Sequence, residues 1–144
     1  YDWPATMFVA EFIGSPPMNF LAFDGAVQPG AMGVMLGDAP VTVPEAREGH
    51  SGSLALGIRP EHVRLDDRAA YRGTVVAVEY LGTTQIVTLS SRFGDIKARI
   101  ASSHTVREGE TTGLSFNERT VTLFNRETGQ ALRSAANEGV LRHG

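Results

Sequence analysis

Gly73-Thr74-Val75-Val76-Ala77-Val78-Glu79-Tyr80-Leu81-Gly82 is the stretch on which the fold turns. Val76, Val78 and Tyr80 alternate with Val75, Ala77 and Glu79, the period of two that a strand imposes on its side chains. The first set reads as a core stripe. Gly82-Thr83 then marks a turn, Ile86 to Leu89 a return strand, and Ser91 to Asp95 a second turn. Ile96, Ala98 and Ile100 alternate with Lys97 and Arg99, giving one dry face and one wet face, as an antiparallel meander requires.

Working outward, Leu54, Leu56 and Ile58 share one face of an upstream strand, while Ala55 and Gly57 leave its other face thin. Phe20 to Phe23 and Met32 to Leu36 read as arms of a hairpin around Gln28-Pro29-Gly30, with Val41 to Val43 a further apolar piece. Pro44 to Gly52 reads as a polar loop. Downstream, Leu114 to Phe116 and Val121 to Leu123 are expected to form a last hairpin across Asn117-Glu118, and the polar chain from Gly129 is expected to fray. Before the strands comes one short helix. Asp2 suits its N-cap, Pro4 its first turn and Gly14 its left-handed end. Phe8 with Phe12 and Val9 with Ile13 make an apolar stripe at i, i+4. So short a helix is marginal alone in water and must lean on other structure. The expected fold is therefore mainly β. A partly open antiparallel barrel of the oligonucleotide/oligosaccharide-binding (OB) type accommodates residues 53–124, with additional short strands and the N-terminal helix.

Composition narrows the function. The 144 residues are 42% hydrophobic and 20% charged with a net charge of −3, the make-up of one ordinary folded domain. The thirteen basic residues are scattered, where a nucleic-acid groove needs a concentrated basic stripe. No cysteine is present, so disulfide and thiolate chemistry is excluded. The one lysine, Lys97, lies between Ile96 and Ala98 and not in the Gly-x-x-x-x-Gly-Lys-Ser/Thr loop that cradles nucleotide phosphates. Gly49-His50-Ser51-Gly52-Ser53 lacks the last glycine of a nucleophile elbow and the apolar strand that should feed it. His50, His62, His104 and His143 show no metal-ligand spacing. The sequence thus offers no catalytic, cofactor or metal residue. It offers candidate contact residues instead. Arg59 and Glu61 fall at i, i+2 on the face opened by Ala55 and Gly57, with His62 beside them, and Glu79 is a carboxylate within reach of Arg59 or Arg72.

Three blocks carry a family resemblance: Phe8 to Phe20 (Phe-Val-Ala-Glu-Phe-Ile-Gly-Ser-Pro-Pro-Met-Asn-Phe), Leu56 to Val63 with its Gly-Ile-Arg-Pro-Glu-His, and Gly73 to Gly82. A weaker tail block is Leu123-Phe124-Asn125-Arg126-Glu127-Thr128-Gly129, where relatives usually have Asp in place of Asn125. In this order they resemble the C-terminal regulatory (TOBE, OB-fold-like) region of ATP-binding subunits of maltose-type ABC sugar importers. The resemblance implies three parts: 1–14, a hinge helix from the end of an ATPase domain; 15–132, the regulatory β-domain; and 133–144, a polar tail. It implies no catalysis in this region, with ATP and Mg²⁺ held by the ATPase domain. Implied partners are a second copy of the subunit, membrane permeases reached through that domain, and regulatory proteins or small ligands. The implied location is peripheral, on the cytoplasmic side of a bacterial inner membrane. Phe8, Phe12, Ile13, Arg59, Glu61, His62 and Glu79 are the expected dimer or partner contacts. Two alternatives stand beside this reading: a small-ligand-sensing module of such an importer, and a free-standing barrel that binds single-stranded nucleic acid. The second would want aromatics interleaved with basic residues on one face.

Overall fold

The computed structural model describes residues 5–11, 14 and 16–141. In chain order the elements are α1 (Met7–Glu11), β1 (Asn19–Val27), β2 (Gly33–Leu36), β3 (Ala39–Thr42), β4 (His50–Ile58), β5 (Val63–Leu65), β6 (Arg72–Leu81), β7 (Thr84–Ser91), β8 (Gly94–Ala101), β9 (Thr111–Phe116), β10 (Thr122–Asn125) and α2 (Glu138–Leu141). Two 3₁₀ turns, Pro60–His62 and Glu118–Thr120, lead into β5 and β10. The protein is mainly β, with antiparallel sheets throughout and a short N-terminal helix.

The strands form three sheets, ordered β1-β4-β10, β2-β3 and β5-β9-β6-β7-β8. The edge strands of the last, β5 and β8, come close without sharing a ladder, so this sheet stays open. The meander β6-β7-β8 forms in the expected order, and the alternation holds in β8, where Ile96 and Ala98 are fully buried while Lys97 is exposed. Leu54, Leu56 and Ile58 enter the core with Phe23, Val75, Val87 and Leu89, so all three sheets close on one apolar interior. The Asn19 side chain joins two of them: its Nδ2 donates to Lys97 O at 2.9 Å and its Oδ1 accepts from Lys97 N at 2.8 Å. An amide thereby copies a ladder rung where β1 meets β8.

Several expectations are corrected. β1 does not turn back on β2. It pairs over its whole length with β4, from Asn19 opposite Ile58 to Val27 opposite His50. The hairpin partner of β2 is β3, closed by Gly37-Asp38 with Gly37 at φ 65°, a left-handed turn position that suits glycine. β9 and β10 likewise form no hairpin. Asn117 caps the intervening 3₁₀ turn, accepting from Arg119 N at 3.2 Å, and the chain leaves β6 and β5 to pair with β4. His50 to Gly52 belong to β4 and not to the expected loop. In β6 the register slips between Val75 and Ala77, so Val76 is the extra residue of a bulge. The stripe read as Val76-Val78-Tyr80 is therefore broken. Val75 is buried, Val78 is half-buried, and Val76 and Tyr80 are exposed.

The thin face of β4 is also filled from within this chain. Ala55 packs with Ala10, Met18 and Phe124 in a second apolar cluster on the far side of the sheet. A Cβ added at Gly57 would lie 2.7 Å from both Met18 Sδ and Phe124 Cε2. The helix thus leans on β4 and β10. Thr6 caps it, its Oγ1 accepting from Val9 N at 3.2 Å, and Met7 N donates to Gly129 O at 2.9 Å. Asp2, Pro4, Phe12 and Ile13, assigned to this helix from sequence, lie outside the described residues.

The chain after Gly129 is held where fraying was expected. Ala131 N donates to Ala5 O at 2.8 Å, Leu132 is buried, and Ser134 bridges to Ala46. Asn137 is 1% exposed; its Nδ2 donates to Leu132 O at 3.1 Å and its Oδ1 accepts from Ser134 N at 2.7 Å. Asn137→Ala leaves both backbone groups without these partners, a loss of about 1–3 kcal/mol. The expected result is a lower melting temperature and early proteolytic nicking after Leu132, read by mass spectrometry.

Candidate functional site

The candidate contacts fall in three places. Phe8 stands on α1 with 70% of its surface exposed, and Phe12 and Ile13 lie outside the described residues. Arg59, Glu61 and His62 form the corner between β4 and β5. Pro60 stops the strand, so Arg59 keeps extended backbone while Glu61 and His62 enter a 3₁₀ turn. The expectation of Arg59 and Glu61 on one strand face is thus corrected. The turn packs against β8, with Pro60 buried, Glu61 exposed and His62 half-buried. His62 Nδ1 is buried and makes no hydrogen bond.

Glu79 is elsewhere, exposed on the β6-β7 hairpin, where the ladder sets it opposite Ile86 and sets Ile86 opposite Arg99. It joins no ion pair among the described residues. Arg72, one of its expected partners, donates instead to Asp67 O at 2.8 Å. Beside Glu79 are three apolar residues that the sequence reading did not assign to a surface: Val76, Tyr80 and Leu81, 48%, 63% and 44% exposed. A bulge moves them outward. With Val75 and Val76 both valine, the residue pattern does not reveal which one is extra.

A cleft of about 620 Å³ separates β1 from the β2-β3 hairpin. Phe23, Asp24, Met35, Pro40, Arg92 and Phe93 line it, with the Arg92 guanidinium 5.1 Å from the centre of the Phe93 ring. Asp24 meets Arg126 at 3.1 Å, and the Arg126 Nε donates to Leu54 O at 2.8 Å, so the tail block serves to clamp β1 onto β4.

No three His, Asp or Glu side chains among the described residues gather to hold a metal ion. Nor do the residues fit a nucleotide site. Lys97 is embedded in β8, its N–H taken by Asn19, and no glycine loop precedes a helix there. No helix among the described residues is long and apolar enough to cross a membrane. What remains among the described residues is an antiparallel β-module on which Phe8, Glu61 and Glu79 are exposed.

The MalK OB fold domain model matches residues 14–63, and the TOBE domain model matches residues 56–124. The chain belongs to the family of C-terminal TOBE/OB-fold regions of ABC sugar-importer ATP-binding subunits, the part outside the ATPase core.

Among its relatives, the sn-glycerol-3-phosphate import ATP-binding protein UgpC of Salmonella choleraesuis (strain SC-B67) is 38% identical over 90% of this chain and 37% of its own length. The xylose/arabinose import ATP-binding protein XacK of Haloferax volcanii is 35% identical over 93% of this chain and 37% of its own length. The trehalose/maltose import ATP-binding protein MalK of Thermococcus litoralis is 36% identical over 92% and 39%. The chain thus spans 37–39% of the length of these relatives. A crystal structure of the cytoplasmic molybdate-binding protein ModG with molybdate bound shares the fold, with a TM-score of 0.54 over 73% of this chain and 94% of that one at 14% identity.

Proposed function

We propose that this chain is the clasp of a solute-import ATPase. It holds two copies of the ATP-binding subunit together while their ATPase domains separate and rejoin, and it receives regulators. The observation that carries this reading is the joining of the two matched family regions, 14–63 and 56–124, into one apolar core that holds no catalytic constellation. A permanent contact between two subunits turns their next encounter into an intramolecular event at an effective concentration of roughly millimolar. A rigid β-module with a self-complementary patch suits that task.

In this reading residues 1–14 are the hinge from an ATPase domain that binds ATP and Mg²⁺, residues 15–132 the regulatory domain, and 133–144 its tail. The whole subunit lies on the cytoplasmic face of the membrane beneath its permeases. Phe8, Phe12, Ile13, Arg59, Glu61, His62 and Glu79 are assigned to contacts with the second copy or with a regulator. The transported solute is a carbohydrate or a related polyol or phosphate ester, in line with the names of the relatives.

Sedimentation velocity of the chain, from micromolar to near-millimolar concentration, tests the clasp. The expected profile shifts reversibly from one copy to two. A single species of one copy across that range overturns it.

A further inference from the structure

The turn between β7 and β8 carries Arg92 and Phe93, and buried chemistry fixes it. Tyr71, 5% exposed, accepts from Phe93 N at 3.2 Å through its hydroxyl, which also shares a hydrogen bond with Ser91 Oγ at 2.7 Å. The Tyr71 and Phe93 rings stack, with centres 6.4 Å apart and planes at 11°, and the Arg92 guanidinium lies over the Phe93 ring. Gly37, in the β2-β3 turn, closes on the same group. A Cβ there would fall far inside van der Waals contact with Arg92 Nη1, and would lie 3.0 Å from Arg92 Cζ and 3.4 Å from Phe93 Cε2. A guanidinium has five N–H donors. Among the described residues Arg92 joins no ion pair and donates no side-chain hydrogen bond. Its position is set while its donors are unspent.

We propose that the cleft between β1 and the β2-β3 hairpin binds a small organic anion, its phosphate or carboxylate head on Arg92 and its apolar body against Met35, Pro40 and Val41. The charge selects the head. Asp24, the other charged side chain lining the cleft, is already met by Arg126 at 3.1 Å and leaves Arg92 unneutralised. The walls select the body. Apart from Asp24, Arg92 and Thr42, every lining side chain is apolar or the residue is glycine. A volume of about 620 Å³ falls in the range of small-molecule sites and exceeds what a bare ion fills. Inorganic phosphate would leave Met35, 53% exposed, as wet as before, whereas an attached apolar group gains from covering it. A neutral apolar molecule would strip water from Arg92 and return no acceptor. The guanidinium fork takes phosphate or carboxylate bidentately, so the two heads share one chemistry. This site lies within one copy and goes beyond the clasp reading, since it needs no second subunit.

Amide NMR shifts during titration with phenyl phosphate, benzoate, inorganic phosphate and benzyl alcohol test the site. Phenyl phosphate or benzoate should saturate, with shifts concentrated at Gly25, Gly37 and Phe93, and the tighter of the two names the head group. Inorganic phosphate and benzyl alcohol each lack one half of the ligand and should bind about tenfold more weakly or worse. Arg92→Gln changes an exposed turn residue. It should weaken the organic anions by about tenfold or more without lowering the melting temperature by more than a few degrees. Arg107→Gln, on the connection from β8 to β9, removes the same charge and should change nothing. Gly37→Ala should weaken binding too, because the methyl pushes the guanidinium aside. Gly30→Ala should not, because the added Cβ at this second left-handed glycine meets nothing within 4 Å. If Gly37→Ala unfolds the chain, Arg92→Gln decides. Equal affinity for phenyl phosphate and inorganic phosphate overturns the apolar half of the site. Binding that survives Arg92→Gln, or that Arg107→Gln weakens as much, overturns the head-group half. No saturable shift with either organic anion overturns the proposal and leaves the clasp, which is read by sedimentation, untouched.

Discussion

Gly113→Ala should be among the most damaging single-methyl additions this fold can receive. Gly113 lies in β9 opposite Arg72, beneath the turn that joins β5 to β6. The chain closes that turn with Ala69 N donating to Asp66 O at 2.9 Å and ties it to β9 with Asp66 N donating to Gly113 O at 2.9 Å. A Cβ built on Gly113 would fall far inside van der Waals contact with Asp66 O, and would lie 2.6 Å from Ala69 O and 3.0 Å from Ala69 Cβ. These are mostly main-chain atoms, so no rotamer change relieves the clash. The turn must lift, and with it the bond that fixes β5 to β9. Overpacking of ordinary cores costs about 1–3 kcal/mol. With backbone as the obstacle, the expected loss is about 3 kcal/mol or more, a fall in melting temperature of about 10 °C for a chain of this size. Urea denaturation of wild type and variant measures it. Gly139→Ala is the control, because a Cβ there meets nothing within 4 Å and adds helix propensity in α2. It should cost nothing.

Gly113 also illustrates what a sequence conceals. Its neighbours Thr112 and Leu114 read as ordinary strand, and the demand for glycine comes from a turn more than forty residues upstream. The local signals that succeeded were those with a local cause. Ile96, Ala98 and Ile100 alternate because β8 has one dry face, and Gly82-Thr83 turns because a left-handed glycine, at φ 80°, closes the β6-β7 hairpin. Gln28-Pro29-Gly30 misled for the complementary reason. It does turn the chain, with Gly30 at φ 93°, but a turn does not dictate which strands pair after it. Phe20, Leu21 and Phe23 found better burial against Leu54, Leu56 and Ala55 than against β2, and the ladder followed the burial. In the tail, Leu132 and Asn137 are single anchors in a polar run, too few to show any period, yet together they hold it down.

The candidate contacts divide in the same way. Arg59, Glu61 and His62 were found together because they are contiguous and Pro60 punctuates the strand. Glu79 was singled out as a carboxylate expected to meet Arg59 or Arg72, but its exposed neighbours Val76 and Tyr80 were assigned to a core stripe. A bulge reverses the facing of every residue beyond it, and side-chain chemistry does not record its position when both candidates are valine. Ala55 and Gly57 are small for an internal reason as well: the chain's own Phe124 and Met18 approach there, leaving no room for a second subunit.

That internal approach leads to the other large effect, Phe124→Ala. Phe124 is fully buried, meets Phe20 edge to face with ring centres 5.5 Å apart and planes at 76°, and sits in the cluster that carries Ala10 of α1. Truncation of a buried phenylalanine costs about 3–5 kcal/mol, with the cavity left behind forming part of that loss. Gly57 deepens the cavity, because no side chain on β4 can swing in to fill it. The local consequence is more telling than the global one. The five residues of α1 cannot persist alone, and Phe124 is the largest fully buried side chain of the apolar cluster on which they rest. The hydrogen bonds from Met7 N to Gly129 O and from Ala131 N to Ala5 O run along its flank and leave its apolar face to be held by packing. Phe124→Ala should therefore release α1 before the sheets unfold. Amide exchange in Phe8 to Glu11 should rise to nearly the free-peptide rate while β7 and β8 stay protected. Leu89→Ala, in the main core, should lower overall stability by about 2–5 kcal/mol without that selective release. Equal exchange of α1 in the two variants would mean that the helix is held by its flanking backbone bonds alone. Selective release would mean that the segment assigned to the hinge is seated by a single aromatic ring, so that movement of the hinge and packing of the clasp are coupled through one side chain.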